Sequence, residues 1–428
     1  MIAANIGKTF LQAYNEKYKC AFTAKEFFIE KFFRLFFDEE KYMQWVTNSP
    51  FVQGIKKGVY PTPEERQLKL EVLVNKIAEN DADASIAIGF PSLDLLATTS
   101  GQVSNLTLPL DKEDVYLSWI GGGFGIGVKG GLSIFFNQKQ ILLDLFEGWE
   151  IYRSYLNTTP KLRGNQINTW NGQWISHRYD KRTYNASHPA ASFDPFVATS
   201  DGGLEVSTQS WMKVLLGIAR NYPDTLLTGY VYSLGQTNIT IGFIPFNLPK
   251  IREPYDLYHK YFGTSDKDIN ELLFGTEIGF TQACQTGSIG INALEPKGFR
   301  DCLRKGSVPS YSDKDENKRI NFNTYQIWLL AMLNNEDLWE KTRKFAEVLH
   351  AYTMSDKNAK KTKSQAVINL IKSVKQQQFM EELTKLVENS DEASPLVEIG
   401  HLVALMPVDN VSYFLTLLRF QYAVVSKN

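Results

Sequence analysis

The sequence predicts an α+β protein: a helical N-terminal segment, a body with a mixed or antiparallel sheet, and a C-terminal helical bundle. Three observations carry this reading. Residues 1–80 place apolar side chains at helical spacing. Residues 81–250 break into short β-rich runs punctuated by Gly, Asn, Ser and Pro. From Phe322 onward the helical pattern returns and continues to the end, with short loops.

Each element has a local signal. Thr23-Ala24-Lys25-Glu26 is a capping box, in which the Thr hydroxyl takes a free amide and the Glu reaches back. After it, Phe27, Phe28, Phe32, Phe33, Phe36 and Phe37 recur at helical spacing. Asn48-Ser49-Pro50-Phe51 marks a turn. Thr62-Pro63-Glu64-Glu65 starts a second helix, with Pro at its first position and Leu68, Leu70, Val72, Leu73 and Ile77 behind it. Strands are expected at Ser85–Phe90, Val115–Ile120, Leu132–Phe136, Gly229–Leu234 and Asn238–Phe243, with helices over Trp211–Ala219 and around Asp266–Phe274. The charged stretch 312–319 reads as a linker between a body over 1–311 and a bundle over 320–428. Bundle helices are expected at Thr324–Leu333, Asp337–Tyr352, Ser364–Glu388, Ser394–Leu405 and Val411–Val425.

Composition narrows the class. Hydrophobic residues are 43% and charged residues 22% of 428, which excludes collagenous, disordered and coiled-coil chains. Cys20, Cys284 and Cys302 are far apart and form no CxxC pair, so neither a zinc ribbon nor a disulfide framework is expected. Met1–Tyr14 lacks the order of a signal peptide, and no apolar run approaches a membrane span; the expected compartment is the cytoplasm.

Charge is more informative locally than in total. The 46 Lys+Arg and 47 Asp+Glu give a net charge of −1. Two windows, 151–182 and 351–375, each hold an excess of +5, leaving −11 on the other 371 residues. Such segregation suits a protein with a one-sided nucleic-acid face.

Three segments could form that face. In 121–131, seven of eleven residues are Gly, without the spacing of a dinucleotide fingerprint or a P-loop. It reads either as a loop approaching nucleic acid, with Lys129, Asn137 and Gln138 as polar contacts, or as a flexible hairpin connection. In 151–184, Arg153, Lys161, Arg163, Arg178, Lys181 and Arg182 are interleaved with Tyr and Trp. Asn165, Gln166, Asn168, Asn171 and Gln173 add amides. Cations hold phosphates, aromatics stack and amides read base edges, whereas a structural reading has the Trp residues anchoring a loop. In 351–375, Lys360, Lys361, Lys363 and Lys372 would hold a phosphate backbone, or form a solvated face.

Catalytic signatures are weak. His177, Asp180, His188 and Asp194 could ligate a metal in a hydrolase or nuclease, but their spacing matches no known motif. There is no Gly-x-Ser-x-Gly elbow. A scaffold protein with solvated basic faces is the remaining alternative. No cofactor is expected.

The order of parts resembles the large subunits of type I CRISPR surveillance complexes (Cascade). The resemblance is carried by the segment Asn165-Gln166-Ile167-Asn168-Thr169-Trp170-Asn171-Gly172-Gln173-Trp174, which looks like a nucleic-acid-facing loop of their body. It is also carried by Met406–Phe420, which looks like the last helix of their bundle. It implies a non-catalytic subunit in antiviral defence. Its body would recognise the motif flanking the target (Lys129, Asn137, Gln138). Arg163, Asn165, Gln166, Asn171 and Arg178 would touch duplex or guide, and the bundle would hold a displaced strand through Lys360, Lys361, Lys363 and Lys372. The implied partners are guide RNA, target double-stranded DNA, other subunits and a downstream nuclease or other effector, with no membrane. Some members carry CxxC pairs, which this chain lacks.

Overall fold

The computed structural model describes residues 1–56, 59–91, 110–222, 224–233, 240–263, 276–312, 314–355, 359–390 and 393–427. Over these the chain is α+β, mostly helical, with a small four-stranded antiparallel sheet and a two-stranded one. It divides into two compact units: Met1–Leu248 with Phe280–Ser288, and Pro249–Gly279 with Ile289–Asn428.

The first unit begins with α1 (Ile2–Tyr18). Helix α2 runs Ala24–Phe27, passes through a π-helical turn at Phe28–Phe32 and continues through Phe33–Phe36. The expected capping box forms: Glu26 N donates to Thr23 Oγ1 at 3.2 Å, and Thr23 N donates to the Glu26 carboxylate at 2.8 Å. All six phenylalanines from Phe27 to Phe37 are at most 1% exposed. Their rings and those of Phe10, Phe124, Phe146 and Trp149 make the aromatic core. Helix α3 (Pro63–Glu79) carries the second capping box, Thr62 with Glu65.

Helix α4 (Lys112–Gly122) occupies the stretch where a strand was expected at Val115–Ile120. Asp111 caps it by accepting from Asp114 N, and Val115–Gly122 are all buried. A segment buried on every side is apolar or small throughout, so periodicity does not separate helix from strand. Against α1 it packs backbone to backbone: a Cβ on Gly121 would lie 1.8 Å from the Ala3 carbonyl oxygen. The expected strand at Ser85–Phe90 is a series of turns.

The sheet has the order β1-β2-β5-β6, antiparallel throughout. Its strands are β1 (Ile126–Val128), β2 (Leu132–Phe136), β5 (Leu226–Ser233) and β6 (Thr240–Asn247), with Ile134 opposite both Ile126 and Val231. Between β2 and β5 come α5 (Lys139–Thr158), α6 (Ile167–Arg178), the small hairpin β3 (Phe196–Ala198) and β4 (Leu204–Val206), and α7 (Trp211–Asn221). Helix α8 (Leu248–Phe262) leads into the second unit, while α9 (Phe280–Gln285) returns to the first. The helix expected around Asp266–Phe274 lies outside the described residues.

The second unit is helical: α10 (Phe299–Lys305), α11 (Glu316–Leu333), α12 (Asp337–Met354), α13 (Lys360–Lys372), α14 (Gln376–Glu388), α15 (Ser394–Ala404) and α16 (Val408–Val425). Helix α16 packs on α11 and α12, with Phe322 edge-on to Phe420 at 4.6 Å. The stretch 312–319, expected as a linker, contains the first turn of α11, capped by Asp315. The chain passes between the two compact units at Leu248/Pro249, Gly279/Phe280 and Ser288/Ile289.

The helix expected over Ser364–Glu388 is broken between α13 and α14. Arg419 explains the break. Its buried guanidinium donates to the carbonyls of Ile371 (2.7 Å) and Ser373 (2.5 Å), groups that a helix end leaves without partners.

Candidate nucleic-acid interface

The glycine-rich segment is neither an exposed ligand loop nor a flexible connector over most of its length. Residues 121–128 are buried. Their glycines exist because other groups occupy the space of a side chain. A Cβ on Gly123 would meet the Trp149 ring at 2.9 Å, and one on Gly125 the Asn168 amide at 2.3 Å. Only Lys129-Gly130-Gly131, the turn between β1 and β2, is exposed. Both glycines there have positive φ, and no atom lies within 4 Å of where a Cβ would sit. The Lys129 amide donates to the Gln209 carbonyl at 2.8 Å, and its side chain is exposed.

Asn137 and Gln138 lie at the other end of β2, roughly 17 Å away for a strand of this length. Asn137 is exposed. Gln138 caps α5: its side-chain oxygen accepts from Ile141 N at 2.8 Å. The three residues expected on one flanking-motif contact are thus not brought together.

The amide-rich segment 165–174 turns inward. Asn171 is 0% exposed. Its Nδ2 donates to the carbonyls of Gly123 (2.7 Å) and Gly125 (2.9 Å), and its Oδ1 accepts from the Trp149 indole at 3.0 Å. Asn171 therefore corrects the expectation of a base or backbone contact: every hydrogen-bonding direction of its amide faces protein. Trp170 and Trp174 are also fully buried, donating to the carbonyls of Gly148 and Asp144. The Gln166 oxygen accepts from Val206 N (3.0 Å), and the Asn165 oxygen from Trp45 N (2.5 Å). The glycine run and the tryptophan–amide run, which read as two nucleic-acid segments, are two halves of one internal joint.

The arginines of this region hold carboxylates. Arg163 is exposed and pairs with Asp201 at 2.6 Å and Glu205 at 3.4 Å. The Thr199 hydroxyl and then Arg163 hold the Asp201 carboxyl down to about 2. Arg178 pairs with Asp144 and Glu147, both at 3.4 Å, and lies over the Tyr184 ring. Burial pushes the Asp144 carboxyl above its ordinary value, against the pull of the Tyr179 hydroxyl. Arg153 is buried and donates to the carbonyls of Leu35 and Lys41.

The metal-site alternative finds no geometry. Among the described residues no three His, Cys, Asp or Glu side chains gather. His177 Nε2 lies 2.9 Å from the Pro189 carbonyl and its ring stacks on Phe193 at 4.4 Å; burial lowers its pKa. Asp180 caps its own turn and pairs with Arg182 at 3.0 Å. His188 and Asp194 are exposed.

The lysines of α13 differ from these. Lys360, Lys361 and Lys372 are exposed, as is Lys375 just before α14, and none has a carboxylate partner among the described residues. Elsewhere in this unit several cations pair along their own helices, Arg343 with Glu340 and Glu347, Lys385 with Glu382 and Lys305 with Asp301, while Lys341 and Lys344 of α12 are exposed and in no ion pair among the described residues. Lys361, Gln365, Ile368 and Lys372 recur at intervals that keep one helix face. Lys363 stands apart, donating to Ser355 Oγ (2.7 Å) over the Tyr352 ring. Lys375 was not among the expected contacts. Its position one short break beyond Lys372 is what the merged helix over 364–388 concealed.

Set against family models, curated proteins and solved structures, the chain matches none. No helix among the described residues is long and apolar enough to cross a membrane.

Proposed function

We propose that the chain is a non-catalytic, cytoplasmic nucleic-acid-binding subunit of an RNA-guided DNA-targeting complex. Guide RNA, target double-stranded DNA, neighbouring subunits and a downstream nuclease or other effector are its partners. Base pairing with the guide reads the sequence in such a complex, and protein reads a short duplex motif and backbone shape.

One observation supports this reading most: Lys360, Lys361, Lys372 and Lys375 are exposed and, among the described residues, without counter-charges, gathered along α13 and the short break that follows it. Unpaired lysines spaced along a helix suit phosphates, which carry no sequence information. The Lys129-Gly130-Gly131 turn is the second contact. Its two glycines leave open space for a sugar–phosphate backbone, beside one exposed ammonium group.

The test is DNA retention against salt for the triple variant Lys361→Glu, Lys372→Glu, Lys375→Glu. Affinity should fall uniformly across sequences, and the slope of log affinity against log salt should shrink by about 2–3. An unchanged slope removes α13 from the interface. Co-purification of a guide RNA with neighbouring subunits tests the assembly itself.

A further inference from the structure

Helix α15 buries one face and leads into a patch of exposed apolar side chains at its C-terminal end. Leu396, Ile399, Gly400 and Val403 face inward, with Gly400 against Leu383 and Met380 of α14. Val397 and His401 are exposed on α15, Leu405 just past its end and Val408 at the start of α16, and Leu405 and Val408 are 84% and 76% exposed. Exposed apolar side chains gathered at one place mark an interaction surface.

The surroundings of that patch are acidic. Residues 376–410 hold seven acids and one lysine, a net −6 that directly follows the +5 window. Glu388, Glu398 and Asp409 are exposed and have no cation partner among the described residues. The face that matches this in charge is on the same chain. Helix α13 presents Lys361, Gln365, Ile368 and Lys372, with Ile368 37% exposed among the lysines. The α13 face runs over twelve residues, about 16 Å of helix, whereas the patch from Val397 to Val408 crosses the break between α15 and α16. One is apolar with acidic margins and the other is basic with an apolar centre.

We infer that the exposed apolar patch from α15 to the start of α16 docks the outer face of α13 of a second copy of this chain. The two patches are different, so the contact is heterologous, head to tail. Its small area makes it weak, and the charge pairs at its margins set its register. Since α13 is also the proposed phosphate face, a second copy and a nucleic acid exclude each other there.

The experiment is sedimentation of nuclease-treated, nucleic-acid-free full chain from about 1 to about 100 µM, a span suited to a weak contact. The wild-type chain should associate as concentration rises, less so at high salt. Leu405→Asp should stay monomeric and keep its DNA retention, which separates this contact from the proposed function. A variant carrying Lys361→Glu and Lys372→Glu, and another carrying Glu388→Lys and Glu398→Lys, should each be monomeric. Their equimolar mixture should associate again. A wild-type chain that is monomeric throughout, an association that survives Leu405→Asp, or a mixture that stays monomeric overturns the inference. Docking of a different protein's basic helix on α15 predicts the first of these results.

Discussion

Gly172 faces the carbonyl of Gly127 so closely that a Cβ on Gly172 would lie 2.2 Å from that oxygen. Helix α6 thus rests directly on the backbone of strand β1. The contact is backbone, and backbone cannot move aside as a flexible side chain can. Gly172→Ala is expected to lower stability by about 1–3 kcal/mol, the usual cost of overpacking. Urea unfolding of the variant measures it, and an unchanged midpoint would mean that β1 and α6 can separate.

Asn171 should be more sensitive than its composition suggests. Asn171→Ala leaves the Gly123 and Gly125 carbonyls and the Trp149 indole without partners inside the protein. Each orphaned group costs about 1–3 kcal/mol. The expected result is a large loss of stability, with DNA affinity per folded molecule unchanged. A base-contacting Asn171 would give the opposite pattern.

Lys129→Glu should separate binding from folding in the reverse sense. The side chain is exposed and in no ion pair among the described residues, so stability should change by less than about 0.5 kcal/mol. Duplex affinity should fall, and the salt slope should drop by about 1. Equal affinity for variant and wild type would leave the turn as a connection only.

Two carboxyls give opposite pH signatures. Asp201 is held below its unfolded value, so its contribution is present above about pH 4 and is lost as the pH falls towards 2. Asp144 is held above its unfolded value by burial, so the folded state takes up the proton first. Its contribution therefore grows as the pH falls from its raised value to about 4, and fades as the pH rises. Asp201→Asn should flatten the acid limb of a stability–pH curve. Asp144→Asn should remove the gain in stability that accompanies acidification towards pH 4.

Helix starts were the most legible part of this fold. Thr23 with Glu26 and Thr62 with Glu65 form the reciprocal bonds that their spacing implies. The C-terminal helices were legible too, because their buried residues keep helical intervals. What stayed hidden depended on distant partners. Nothing near residue 373 announces that Arg419 will end α13 there. Nothing near Asn171 says that its amide answers carbonyls some 46 residues earlier. Composition shows that a segment is rich in amides and cations, but not whether water, a ligand or protein satisfies them. For α13 it located the charge, while only the structure showed which lysines lack counter-ions.

The π turn in α2 has a consequence for how this chain tolerates change in length. Such a turn holds one residue more than α geometry needs. Phe28–Phe32 can therefore lose one residue and close into an ordinary turn, leaving the phenylalanines on either side in register with the core. The same deletion early in α3 would rotate everything beyond it by about 100° and bring Glu71 and Val74 where Leu70 and Leu73 belong. The first helical hairpin thus carries slack at one defined place, and none in the helix that follows.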